Sequence, residues 1–207
     1  MSAPPGTDEF AFVESQILWA ERYLYELDCL SPQPTPELAA SLRQGLMKVA
    51  PHFLMMLRGL LLDAAAMGVA RLLDRSPVSD RNLTMEVAIN ACSWLTTEQK
   101  AEHRDTLLKL REGKKAQAIL AARNKILAHA DYSAVINSPE SAESLLPSYN
   151  DISEVVSQLF DLCDAIRSPD GERPTHPRHA TNWKGVEVLL QHLALGPVTT
   201  GGRPRMH

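Results

Sequence analysis

Arg123, Asn124 and His129 stand close together in the stretch Ala121-Ala122-Arg123-Asn124-Lys125-Ile126-Leu127-Ala128-His129-Ala130-Asp131-Tyr132. A guanidinium is a planar, permanently charged fork that matches phosphate oxygens. An imidazole takes and gives a proton near neutral pH. A carboxamide donates and accepts, so it can orient a ligand or a neighbour. The combination suits a site that handles phosphate. A helix that merely buried these three side chains would have to pair all of them, because unpaired polar groups are costly inside.

The spacing limits how they can cooperate. Six residues of ideal helix rise about 9 Å and turn roughly 240°, so Arg123 and His129 leave the axis about 120° apart. Either the helix ends near Ala128 and His129 swings on its last turn, or a second copy of the helix supplies the other half of the site. Ile119, Arg123 and Ile126 share one face at spacings of four and three. Arg123 is therefore expected toward the apolar side of its helix, where it needs a partner. Asp131 either orients the imidazole, as carboxylates do in acid–base sites, or is a solvated acid at a helix end.

The span from Lys100 to Lys125 carries eight Lys or Arg residues against three acids (Glu102, Asp105, Glu112), a local excess of five positive charges. It reads as a solvated helix face or as a patch that attracts phosphate. On the second reading Lys114, Lys115 and Lys125 are the candidate RNA contacts.

An Arg, a polar residue, a short spacer and a His form the pattern that Arg123, Asn124 and His129 fit. It resembles the signature of the HEPN superfamily (higher eukaryotes and prokaryotes nucleotide-binding). A second stretch adds to the likeness. Ala50-Pro51-His52-Phe53 opens an apolar helix that ends in Ala70-Arg71-Leu72-Leu73-Asp74, followed by Asn82-Leu83. That order is similar to the AbiU-like abortive-infection branch, over roughly residues 10 to 165.

The resemblance implies a helical up-and-down bundle and a metal-independent endoribonuclease acting in phage defence or a toxin–antitoxin-like system. It implies His129 as base or acid, Arg123 as phosphate clamp and Asn124 as orienting residue, with no cofactor. It also implies pairing of two copies so that their motifs meet in a cleft, and an antitoxin protein as a possible partner. Some relatives are instead catalytically silent dimers that bind a nucleotide, RNA or a protein. Tyr132 lies three residues after His129, whereas some toxin members carry a Tyr at two, so that residue's role does not carry over.

The chain has 207 residues, 44% of them hydrophobic, which suits one domain with extensions. A net charge of −4 argues against a globally basic nucleic-acid binder. Cys29, Cys92 and Cys163 follow no pairing or metal-binding pattern and lie in apolar helical surroundings, which fits a reducing compartment. Met1 to Thr7 has no basic and apolar signal pattern. The longest apolar stretch, Gly59 to Ala70, contains Asp63 and is flanked by Arg58 and Arg71, so no membrane span is expected. These features lead to an expectation of a cytoplasmic protein.

Several other chemistries lack their motifs. There is no P-loop, no dinucleotide fingerprint, no His-Glu-x-x-His and no acid followed three residues later by His. His176 and His179 are separated by Pro177 and make too few ligands for a metal. Aromatics are 5% and scattered, against a base-stacking surface.

The elements that must position the motif read as helices. Thr7 or Asp8 caps the first, in which Phe10, Val13, Ile17, Ala20, Leu24 and Leu27 form an apolar stripe. Trp19, Tyr23 and Tyr25 lie off that stripe, beside the core or against a partner chain. A second helical region runs from Pro36 to Leu73 and restarts at Pro51. From Phe53 onward it is apolar on nearly every face, which predicts a central helix. Asp63 inside it should find Arg58, Arg71 or a helix terminus. A third helix covers Thr84 to Leu95. Thr96 and Gln99 form a capping box for a fourth, which Gly113 ends. Lys115 to Ala128 carries the motif. Asn150 or Asp151 caps a sixth helix with Ile152, Val155, Leu159, Leu162 and Ile166 inward, stopped at Ser168-Pro169-Asp170-Gly171.

No segment alternates as a strand does, so the class is all-α. The division is a helical domain over residues 1–170 and a Pro/Gly/His-rich extension over 171–207, with one helical pattern from Trp183 to Leu195. A homodimer is expected, with the motif helix and the first helix at or near its two-fold axis.

Overall fold

The computed structural model describes residues 5–30, 44, 47, 48, 50–75, 83–124 and 147–168. They form an all-α bundle in which six helices are described: α1 (Thr7–Cys29), α2 (Pro51–Leu73), α3 (Met85–Ala91), α4 (Thr97–Glu112), α5 (Lys114–Ala122) and α6 (Tyr149–Arg167). The extension beyond residue 170 and its pattern from Trp183 to Leu195 lie outside the described residues, as does the part of the second helical region before Pro51 other than residues 44, 47, 48 and 50.

The apolar stripes do what their periods require. Phe10, Val13, Ile17, Ala20 and Leu24 of α1 and Ile152, Val155, Leu159, Leu162 and Ile166 of α6 are all buried in one core. The C-terminal half of α2 (Ala65, Ala66, Val69, Ala70, Leu72, Leu73) fills its centre, and Ile119 of α5 closes one side. α2 touches α1, α3, α5 and α6, so it holds the bundle together.

The expectation that α2 is central along its whole length is corrected. Its N-terminal half buries Leu54 but leaves Phe53, Met55, Met56 and Leu60 exposed. Asp63, midway, is half-buried, and no partner for it occurs among the described residues. Burial pushes its carboxyl above the usual carboxylate range.

Three helix starts set the register of the bundle. Pro51 stands in the first turn of α2, where its missing N–H costs nothing. The Thr96–Gln99 capping box is present in both directions, with Thr96 N donating to Gln99 Oε1 at 2.9 Å and Gln99 N to Thr96 Oγ1 at 3.2 Å. α1 is not capped by Thr7 or Asp8, as the sequence suggested. Its N-cap is Gly6, at φ 91°. A Cβ there would lie 2.2 Å from the carbonyl oxygen of Ala91, so both the backbone angle and the close approach to α3 select glycine.

Two further boundaries move. α3 ends at Ala91, short of Leu95, because the chain turns through Cys92 to Leu95 into the α4 cap. α6 is capped by Ser148 and not by Asn150 or Asp151. Asp151 is the third helical residue of a capping box, accepting from Ser148 N at 3.1 Å and from Ser148 Oγ at 2.7 Å. The C-terminal end of α6 is tied as well: Arg167 pairs with Glu14 of α1. The Trp94 indole donates to the Ile166 carbonyl at 3.1 Å. All three cysteines are buried and none forms a disulfide, and burial pushes the Cys92 thiol up to about 11.

The Ser148 donors favour ionised Asp151 and hold its carboxyl below the ordinary carboxylate value. The stability this contributes is present above the unfolded pKa and is lost as pH falls through the lower, folded one. Asp151→Ala is expected to cost about 1 kcal/mol at neutral pH. The cost should shrink as pH drops below the carboxylate range, which thermal denaturation followed by circular dichroism at several pH values measures.

Candidate functional site

The last carbonyls of a helix have no partner within it. At the C-terminus of α2 they are taken by one side chain from α4. Arg111 donates from Nε to the Leu73 carbonyl at 2.8 Å and from Nη2 to the Asp74 carbonyl at 2.6 Å. Its Nη1 donates to Glu86 Oε2 of α3 at 2.8 Å. Arg111 is 8% exposed. A buried guanidinium with this many acceptors is satisfied, and a cation at a helix C-terminus also meets the helix dipole favourably. Gln117 of α5 in turn donates to the Arg111 carbonyl at 2.5 Å. One arginine thus fixes α2, α3, α4 and α5 at a single corner.

Arg123 lies at that corner. Its Nη1 donates to Asp74 Oδ2, and its Nε donates to Asn124 Oδ1 at 3.0 Å. Nη2 has no hydrogen-bond partner among the described residues. The side chain keeps 20% of its surface and Asp74 keeps 33%, so the pair sits at the rim of the core. This agrees with the sequence expectation that Arg123 points toward the apolar side and needs a partner there. The chain also widens from α-helix into a π-turn at Arg123 and Asn124. Such widenings are uncommon and recur at functional sites.

The structure therefore brings Arg123 and Asn124 together with Asp74. His129, Asp131 and Lys125, the other expected members, lie outside the described residues. Asp74 is legible in the sequence as the end of the α2 pattern and, with Asp63, as one of two acids that could partner a buried Arg123. Arg111 is legible there as one charge among eight. The signal for Arg111 was in the spacing: His103, Leu107 and Arg111 recur at four residues, and all three are buried on the inward face of α4.

The basic span is largely neutralised. Lys115 donates to Glu154 at 2.5 Å and lies 3.9 Å from Asp151. Lys109 pairs with Asp105 at 2.6 Å, Arg111 with Glu86 and Arg123 with Asp74. The Lys100 ammonium donates to the Asn90 carbonyl at 2.8 Å. Asp74, Glu86 and Glu154 come from outside the span, so they offset most of the excess charge read along the chain. Lys114 is exposed and makes none of these pairs. Among the described residues no three His, Cys, Asp or Glu side chains are grouped to hold a metal ion.

Two hollows lie away from this corner. One, of about 770 Å³, runs between α1 and α6 past Trp19, Tyr25 and Tyr149. The other, of about 610 Å³, adjoins the exposed half of α2. Neither is lined by Asp74, Arg123 or Asn124.

Comparison with protein families gives one match: the family model HEPN_AbiU2, described as AbiU2, covers residues 8–168 of the chain. No curated protein and no solved structure matches.

The two arginines should separate by stability. Arg111→Ala leaves two helix-end carbonyls and Glu86 without their donor and is expected to cost about 3–5 kcal/mol. Arg123→Ala, at the rim, should cost no more than about 1 kcal/mol. Urea denaturation midpoints of the two variants test the ranking.

Proposed function

The chain belongs to the AbiU2 family of HEPN proteins, and from that membership we propose that it is an endoribonuclease that works without a metal ion. What supports the reading most is the state of the Arg123 fork. Asp74 takes Nη1, while the side-on edge made by Nε and Nη2 is held only by the neutral Asn124 oxygen. A phosphodiester oxygen pair matches that edge, and a charge-assisted bond displaces a neutral one. Arg123 can then clamp phosphate without surrendering Asp74.

In the proposed reaction a base removes the proton of a ribose 2′-hydroxyl, and O2′ attacks the adjacent phosphorus. The new bond is P–O2′ and the bond that breaks is P–O5′. A proton passes to the departing O5′, and the products are a 2′,3′-cyclic phosphate and a 5′-hydroxyl. His129 is the proposed base or acid, since its reference pKa of about 6.5 allows both roles. Arg123 stabilises the charge that builds on the phosphorane oxygens. Asn124 holds the edge of the fork open to exchange, and Asp131 orients the imidazole. Lys114, with Lys125, approaches the RNA backbone. The proposed setting is cytoplasmic, in phage defence or beside a neutralising antitoxin protein.

A silent RNA- or protein-binding dimer is the second reading. The Arg123–Asp74 pair favours it, because it gives Arg123 a structural use that needs no substrate.

RNA cleavage in the presence of EDTA distinguishes the two. Arg123→Ala and His129→Ala should each lower cleavage at least about a hundredfold while circular dichroism stays unchanged. Arg123→Lys should restore only part of it, because it brings charge without the fork. Asn124→Asp should also inhibit, by placing a carboxylate on the edge meant for phosphate. Wild-type protein that binds RNA in EDTA without cutting it would establish the silent reading.

A further inference from the structure

Met55, Arg58, Gly59 and Leu62 of α2 follow the i, i+3, i+4, i+7 pattern that puts residues on one face of a helix. This face borders the hollow of about 610 Å³, a volume in the range of small-molecule sites. A Cβ added at Gly59 would meet nothing within 4 Å, so the hollow reaches down to the helix backbone there. Leu27 and Asp28 at the end of α1 and Tyr149 at the start of α6 complete the wall. Its apolar part is Leu27, Met55 and Leu62.

Two hydrogen-bond donors in this hollow are unspent. Arg58 is half-buried, and its Nε is enclosed with no acceptor. Asp63 is the one acid within α2. Five residues of ideal helix turn through about 500°, so Arg58 and Asp63 leave the axis about 140° apart. No ion pair joins them among the described residues, against the expectation from sequence that they would pair. The Tyr149 phenol also has no hydrogen-bond partner among the described residues. Burial raises its pKa above the ordinary tyrosine value, so it stays a donor at neutral pH. An enclosed guanidinium N–H without an acceptor is costly, and such a group calls for an explanation.

The chemistry of the wall selects the acceptor. A guanidinium fork matches the two oxygens of a carboxylate. Asp28 does not neutralise Arg58, since it is engaged elsewhere in the protein. Its charge on the same wall disfavours a doubly charged phosphate more than a singly charged carboxylate. The apolar lining calls for an alkyl chain behind that head.

We propose that this hollow binds a single-chain carboxylic acid, its carboxylate on Arg58 and Tyr149 and its alkyl chain along Leu27, Met55 and Leu62. The proposal goes beyond the nuclease reading and holds whether or not Arg123 acts on RNA. Arg58 and Asp74 are separated by about 24 Å of helix, so the hollow stands apart from the Arg123 corner.

Calorimetric titration of decanoate into the full chain, below the concentration at which decanoate aggregates, should show saturable binding. Affinity should rise about fourfold for each CH₂ added from hexanoate to decanoate, as the chain enters the apolar part of the hollow. Arg58→Met removes the charge at similar length and should weaken decanoate at least about tenfold, with Arg58→Lys recovering part of the loss. Tyr149→Phe should weaken it less. Gly59→Leu puts a side chain into the recess and should abolish binding. Circular dichroism should be unchanged in every variant. Decanol and decyltrimethylammonium should bind wild type at least about tenfold more weakly than decanoate. No binding to wild type, decanol binding as tightly as decanoate, or full affinity in Arg58→Met or Gly59→Leu would each overturn the proposal. Decyl phosphate binding more tightly than decanoate would overturn it in favour of a phosphate ligand. Wild type that floats with phosphatidylglycerol vesicles but does not bind decanoate would overturn it in favour of a lipid surface.

Discussion

The end of α2 is the constraint on which the corner depends. A helix that stops inside a bundle exposes carbonyls to a region without water, and those carbonyls must be met. Arg111 meets two of them at Leu73 and Asp74 and spends its third nitrogen on Glu86. Because the Asp74 carbonyl is held from one side, its carboxylate is presented to the other, where Arg123 arrives on α5. The position of the candidate site thus follows from a backbone requirement of the central helix. The two arginines are not equivalent in this. Arg111 is enclosed and satisfied, so it is part of the scaffold, whereas Arg123 stands at the rim with one edge lightly held.

α2 serves two purposes along one length. Its second half is lined with Ala65, Ala66, Val69 and Ala70, small or β-branched side chains that let α1, α5 and α6 approach its axis closely. Its first half carries Phe53, Met55, Met56 and Leu60, large side chains that reach outward. Composition alone marks both halves as apolar. The difference lies in how many neighbours each half has: among the described residues, a small second cluster with Cys29 and Leu30 packs at Leu54, near the beginning of the helix. A continuous apolar helix therefore became a core at one end and a surface at the other.

That division shows what the sequence could and could not convey. Periodicity identified the inward faces of α1 and α6 residue by residue, because one apolar stripe has one place to go. The Thr96 box was legible because it is closed by residues three apart. Gly6 was not, since its role depends on Ala91, far away in the chain. The need of Arg123 for a partner could be read from its place between Ile119 and Ile126. The identity of the partner could be narrowed only to Asp63 or Asp74, because either acid approaches from another helix. The pairing of the basic span could not be read for the same reason. Charges were counted along the chain, whereas Asp74, Glu86 and Glu154 reach it through space.

Asn124 decides how firmly the free edge of Arg123 is held. A bare Arg123 edge would be left to water, and an acid at 124 would hold that edge with a charge that phosphate would have to expel. A carboxamide oxygen at 3.0 Å lies between these cases. It orders the guanidinium through a neutral hydrogen bond worth about 1 kcal/mol, while a charge-assisted phosphate contact is worth roughly twice as much. Asp74 meanwhile keeps Nη1 and ties the guanidinium to the end of α2. Arg123 and Asn124 stand at the π-turn with their polar groups in contact. The local departure from helix, the neutral neighbour and the distant acid together leave one edge of one arginine ordered, charged and exchangeable.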